Sequence, residues 1–200
     1  MPSEGLSRRH QTDREEVGLT SDDALPDAPP TIRARLHVML GAAAELASEG
    51  DPNAVLERMV ECAAAVTGAR HAALGVYDGS GEIIRFIHRG LDPETVRRIG
   101  DAPRGRGLLG ESIAHNRPTR VGNIRADPRS VGFPHGHPEM GSFLGVQVCS
   151  SGRRYGNLYV TDRSDGRPFD EDDEMLLGAL ATFAACAIDN IRLMADRQRL

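Results

Sequence analysis

The side chains best able to bind a metal or act as nucleophile or base are seven His and three Cys. Two of the histidines form the pair His135-Gly136-His137, inside a stretch, 123–141, that has no apolar period. A two-His pair can begin a metal site, but the sequence offers no third ligand beside it. Cys62, Cys149 and Cys186 lie far apart and form no CxxC pair, so neither a zinc ribbon nor a thioredoxin-type motif is present. All three fall in apolar periodic stretches and read as packing residues. Gly105-Arg106-Gly107-Leu108-Leu109-Gly110 satisfies GxGxxG, yet a Pro/Arg loop precedes it rather than a strand, which excludes a dinucleotide fingerprint. The acidic run Asp170–Glu174 opens a long helical pattern, where carboxylates cap free amides and complement the helix dipole. His37, His71, His88 and His115 read as surface or internally satisfied histidines.

Composition narrows the chemistry further. The 200-residue chain contains no Lys, so its 24 basic residues are all Arg. That excludes a P-loop lysine, a Schiff-base lysine and a lysine general base. A net charge of -5 and an aromatic content of 4% argue against nucleic-acid binding. No apolar run reaches the roughly 18 residues of a membrane span. The N-terminus lacks the apolar core of a signal peptide. Together with the odd cysteine count, this predicts a cytoplasmic protein that needs no membrane.

The elements that must position these residues follow from periodicity. Residues 1–31 are polar, Pro-containing and aperiodic, and read as a disordered tail. Helical spacing runs over 32–48, and Asn53 can cap a second helix that Gly68 closes. His71–Tyr77 and Glu82–His88 read as a hairpin around Asp78–Gly81. Asp92-Pro93 starts a short helix. A further short helix is expected near 108–115 and a short strand at 119–122. Ser142–Ser150 and Tyr155–Thr161 are strands, and Asp170 caps a long terminal helix. The seam Leu176, Leu180, Phe183, Ala187, Asn190, Met194 suits docking on a sheet or pairing with a second copy. The fold class is α+β, one domain with helices gathered on a sheet.

Four segments carry a family resemblance: Phe143-Leu144-Gly145-Val146, Gly156–Asp162, Phe169–Asp173 and Ala187–Leu193. Together they resemble a GAF domain over about 33–194. The resemblance implies a central antiparallel sheet with helices packed on it and a sensory or regulatory role. It places the domain at 32–194 and the start of a C-terminal helical linker at 195–200. Gly132–Met140 and Gly90–Gly100 resemble, more narrowly, the haem-binding first GAF domain of sensor histidine kinases of the DevS/DosS/DosT type.

That second resemblance implies a b-type haem whose iron is ligated by His137, with His135 as the alternative ligand. It places Tyr159 on the opposite side, where O₂, NO or CO would bind. Strand alternation adds Phe86, Leu144, Leu74 and Val76 as candidate lining residues, and Gly75 as a gap in the lining. A neutral imidazole suits ferrous iron, and a phenol can donate to bound O₂. The resemblance also implies a homodimer through terminal helices and a two-component kinase or response-regulator module as the output partner. Gly136 and Glu139 depart from the bulkier or Pro residues of the relatives. The alternatives are a haem-free dimerisation or small-ligand GAF module and a methionine sulfoxide reductase built on the same fold. The first lacks both the cyclic-nucleotide signature and a bilin Cys-His pair. The second needs several reactive cysteines at one pocket.

Overall fold

The computed structural model of the chain describes residues 30–48, 51–80, 82–100, 107–114, 117–150 and 152–197. The predicted disordered tail therefore lies outside the described residues, except at its end. Thr31–Leu200 form one compact unit.

Its centre is a five-stranded sheet of β1 (Ala69–Tyr77), β2 (Ile83–Arg89), β3 (Thr119–Val121), β4 (Phe143–Ser150) and β5 (Arg153–Arg163). The order across the sheet is β2-β1-β5-β4-β3, and every neighbouring pair is antiparallel. The helices are α1 (Ile32–Ser48), α2 (Pro52–Thr67), α3 (Pro93–Ile99), α4 (Leu108–Ala114) and α5 (Glu171–Arg197). The α+β antiparallel architecture expected from the sequence is the one observed.

Local chemistry sets the helix ends. Asp51, not Asn53, caps α2: its carboxylate accepts the Asn53 amide, and Pro52 occupies the first turn, where no amide partner is needed. Gly68 closes α2 in the left-handed conformation, at φ 66°. Asp92 accepts the amides of Glu94 and Thr95 at the start of α3. Asp170 and Asp173 cap α5 reciprocally, each carboxylate accepting the other's amide.

Directly paired residues of antiparallel strands share a face. On one face, Ala72, Leu74, Val76, Leu144, Val146, Val148, Leu158 and Val160 pack against α2 and α5 in the main core. Each large side chain buried there contributes about 1.5–3 kcal/mol. The face of α5 that docks is Leu176, Leu177, Leu180, Ala181, Ala184, Ala185 and Ile188. Of the expected seam, Leu176 and Leu180 lie on this face and Ala187 packs against it, whereas Phe183 and Asn190 are exposed; the side chain of Met194 lies outside the described residues.

A buried charge cluster ties the helical layer to the end of β5. Asp173 is fully buried, pairing with Arg35 of α1 and with Arg163 of β5. Arg163 also pairs with Asp165, and Arg35 donates to the Val66 carbonyl at the end of α2. Asp173 is thus more than a member of an acidic dipole-complementing run. No described helix is long and apolar enough to cross a membrane.

Candidate functional site

The other face of the sheet builds a cavity. Its rows follow from register. One row carries Phe143, Thr161 and His71; the next carries Gly145, Tyr159, Ala73 and His88; the third carries Asn157, Gly75 and Phe86. Small residues, Ala73 and Gly145, occupy the middle row. They leave the space that α3, α4 and the 122–142 connection roof over.

The cavity encloses about 370 Å³, within the roughly 300–1,000 Å³ typical of small-molecule sites. Phe86, Leu91, Leu108, Phe133 and Phe143 supply apolar wall, and His71, His88, His137 and Tyr159 supply polar atoms. Beneath the roof, Leu108, Val121, Ile124, Met140 and Phe143 form a second, smaller core.

The His137 loop is anchored at several points. Asp162 accepts the amides of Gly141 and Ser142 at 2.7 and 3.2 Å. It does so from a left-handed backbone at φ 55°, rare for a residue other than glycine. Thr161 Oγ1 contacts Met140 Sδ at 3.1 Å, and Arg125 pairs with Glu139. The His137 ring stacks on Phe133 with centroids 5.2 Å apart. Its Nδ1 lies 2.7 Å from the Pro138 carbonyl oxygen. A carbonyl only accepts, so Nδ1 carries the proton and Nε2 holds the free lone pair.

Tyr159 lies in the middle row and stacks on Phe143, with centroids 5.9 Å apart. Burial pushes its phenol well above the ordinary range, with a smaller contribution from nearby Tyr77. The group is a neutral O–H donor at neutral pH. Among the described residues, no hydrogen bond engages that hydroxyl.

The sequence reads His71 and His88 as surface or internally satisfied histidines. The fold makes them cavity walls, and the Nδ1 of each is buried with no hydrogen-bond partner among the described residues. A buried polar atom left unpaired costs about 1–3 kcal/mol. Desolvation lowers the pKa of His71 below the usual imidazole value, opposed by the carboxylate of Asp162. Gly90 makes room for this ring: a β-carbon there would stand 2.7 Å from His71 Nδ1 and overlap the Arg70 carbonyl.

His137, Tyr159 and Phe86 thus come together around one cavity. Leu144, Leu74 and Val76 do not: they lie on the opposite face, inside the main core. Both faces of β1 and β4 are buried, so apolarity alone does not say which face holds the site. Gly75 is on the cavity side, but in the third row. Space beside it is taken by Asn157 and Tyr77, joined by a hydrogen bond of 2.9 Å. Burial pushes the Tyr77 phenol up to about 12. His135 is exposed at a turn and does not line the cavity.

None of the three cysteines lines the cavity either. Cys62 is packed in α2, where burial pushes its thiol up to about 11. Cys186 is exposed on α5. The described residues therefore bring no group of cysteines to the cavity. They also contain no cluster of three or more His, Cys, Asp or Glu placed to hold a metal ion. Of the GxGxxG stretch, Gly105 and Arg106 lie outside the described residues; Gly107 leads directly into α4.

A sequence profile of the GAF domain family matches residues 49–189. The chain belongs to the GAF domain family. GAF domains are sensory and regulatory modules, and solved relatives share the fold. The GAF domain of a phosphoenolpyruvate-protein phosphotransferase from Coxiella burnetii superposes with a TM-score of 0.72 at 20% identity, covering 84% of this chain and 99% of that one. Free methionine-R-sulfoxide reductase from Neisseria meningitidis, solved with its substrate, gives 0.65 at 23% identity, covering 86% and 96%. The GAF domain of a sensor histidine kinase from Pseudomonas syringae pv. tomato, described as putative, gives 0.57 at 19% identity, covering 82% and 93%. At these identities the likeness speaks for the fold of this GAF domain. Its ligand has to be argued from its own cavity.

Proposed function

We propose that this GAF domain is a haem-based gas or redox sensor of a two-component signalling system. The observation that carries this reading is the state of His137. Its Nδ1 proton is committed to the Pro138 carbonyl, which leaves Nε2 a lone-pair donor beside an apolar cavity. Axial histidines of metal sites are typically oriented by such a second hydrogen bond.

The remaining residues suit the same group. Phe86, Phe133, Phe143 and Leu108 offer aromatic and aliphatic contact to a macrocycle, and His137 is the residue that would hold its iron. Tyr159 offers a neutral donor with no hydrogen-bond partner among the described residues. When bound, the haem supplies an iron coordination position for O₂, NO or CO. The chain's own work is to fix the His137 imidazole, exclude water with the apolar wall, and present the Tyr159 hydroxyl. Loop movement at His137 has a path to the helices. Asp162 holds the loop, and its neighbour Arg163 holds Asp173 at the start of α5.

The reading includes a homodimer, in the cytoplasm, passing its signal to a kinase or response-regulator module. Leu36, Val38 and Leu40 of α1 and Phe183 and Leu193 of α5 are large apolar side chains left exposed, which supports pairing through these helices.

The test is the absorption spectrum of purified, haem-supplemented protein, oxidised, reduced and exposed to O₂ and CO. A Soret band with about one iron per chain is expected, lost or strongly shifted in His137→Ala. A wild-type protein that takes up no haem, or a His137→Ala spectrum identical to wild type, overturns the assignment.

A further inference from the structure

We propose that His88 is a second hydrogen-bond donor to the gas ligand, acting beside Tyr159; this rests on the haem reading above. The argument starts from tautomers. A neutral imidazole has one N–H and one lone pair, and the partners of its nitrogens decide which is which. The Nδ1 of His88 is buried with no hydrogen-bond partner among the described residues. A proton there would be stranded, at a greater cost than a stranded lone pair, so the proton sits on Nε2. Nε2, unlike Nδ1, is not a buried nitrogen left without a partner, and the residue lines the cavity. His88 is therefore set as a donor toward the cavity. His137, whose Nδ1 proton goes to the Pro138 carbonyl, is set the opposite way.

Register supplies the placement. Ala73 pairs with Tyr159 on one side and with His88 on the other, so these three side chains share one row and one face. Ala73 between them is too small to separate the two polar groups. The Tyr159 hydroxyl is likewise without a described partner. The neighbouring row, with Thr161 and His71, is the one on which the His137 loop rests: Thr161 contacts Met140, and His71 feels the charge of His137. The Phe86 ring lies 6.0 Å from that of His88, centroid to centroid, on the side away from this loop row. Two donors without a partner among the described residues thus stand on the row beside the His137 loop, in a largely apolar wall.

A polar diatomic such as O₂ accepts hydrogen bonds well, and CO does so poorly. Two donors therefore favour O₂ over CO, and His88 becomes a determinant of that selectivity. Loss of one hydrogen bond is worth about tenfold in an equilibrium or dissociation constant.

The experiment compares O₂ and CO dissociation from the ferrous haem-loaded protein in wild type, His88→Phe and His88→Gln. His88→Phe should release O₂ about tenfold faster with CO release nearly unchanged. His88→Gln, which keeps an N–H in a similar place, should restore most of the O₂ retention. Equal O₂ release in wild type and His88→Phe overturns the proposal while leaving the haem reading standing. A wild-type protein without a Soret band overturns both. A second measurement needs no haem: nitrogen-15 NMR of the histidine rings should find the His88 proton on Nε2, and a proton on Nδ1 overturns the proposal.

Discussion

His71 shows what burial does to a single side chain. Its ring lines the cavity, its Nδ1 is buried, and desolvation lowers its pKa, opposed by the Asp162 carboxylate and by the Gly90 backbone. The sign of the consequence is fixed. Between its lowered folded pKa and the ordinary value of about 6.5, the unfolded chain binds a proton that the folded chain refuses. Stability from this group is complete above about 6.5 and declines as pH falls through that window. Urea unfolding at pH 7.5 and 5.5 should show weaker folding at the lower pH, and His71→Phe should flatten the difference. An unchanged slope in the variant would mean that His71 is solvated. The same burial logic separates the cysteines: Cys62, pushed up to about 11, is held as a thiol, whereas Cys186 is exposed. Histidine identity was plain in the sequence, but which of the seven mattered was not. His135 and His137 are two residues apart, and only backbone conformation turned one outward and set the other against Phe133.

At the level of elements, the end of β5 is where the site is fastened. Asp162 holds Gly141 and Ser142 from a left-handed backbone, while Arg163 reaches Asp165 and Asp173. Asp162→Ala removes two hydrogen bonds and places a residue poorly suited to φ 55° at that point. A loss of about 2–3 kcal/mol in urea unfolding is expected. Asp162→Gly should lose less, about 1–2 kcal/mol, because glycine accepts that backbone. Alanine proving milder than glycine would show that the backbone there is unstrained. The strands themselves were readable: β1 and β2 were placed within two residues of their observed ends, and the Asp92-Pro93 start of α3 was read correctly. Facing was not readable. Leu74, Val76 and Leu144 were assigned to the cavity and belong to the helix-packed core. Alternation did place His71 with Ala73 and Gly75, and Phe86 with His88, so a signal existed. It could not say which of two buried faces was left open.

For the whole molecule, the unanswered surface is the apolar one on the terminal helices. Leu36 is 40% and Phe183 is 42% exposed, more than an isolated domain gains from. If the proposed dimer uses these helices, Leu36→Glu with Phe183→Glu should convert it to a monomer near 21.6 kDa in sedimentation velocity, with the Soret band retained. A dimer that survives both charges places the interface elsewhere. The Arg35–Asp173–Arg163 cluster would then be the feature to follow, because it couples α1, α5 and the strand beside the cavity.

Residue order alone determined the fold class, the order of helices and strands, the absence of lysine chemistry and the long connection that carries His137. Those properties are local: they follow from spacing, caps, turn residues and composition. Tertiary structure alone decided which sheet face became a cavity, which histidines line it, and that the cysteines stand apart from the site. These depend on side chains far apart in sequence. His71 meets Thr161, His88 shares a row with Tyr159, and Asp173 meets Arg35 only after the chain has closed on itself. Burial, register and hydrogen-bond partnering have no values until then.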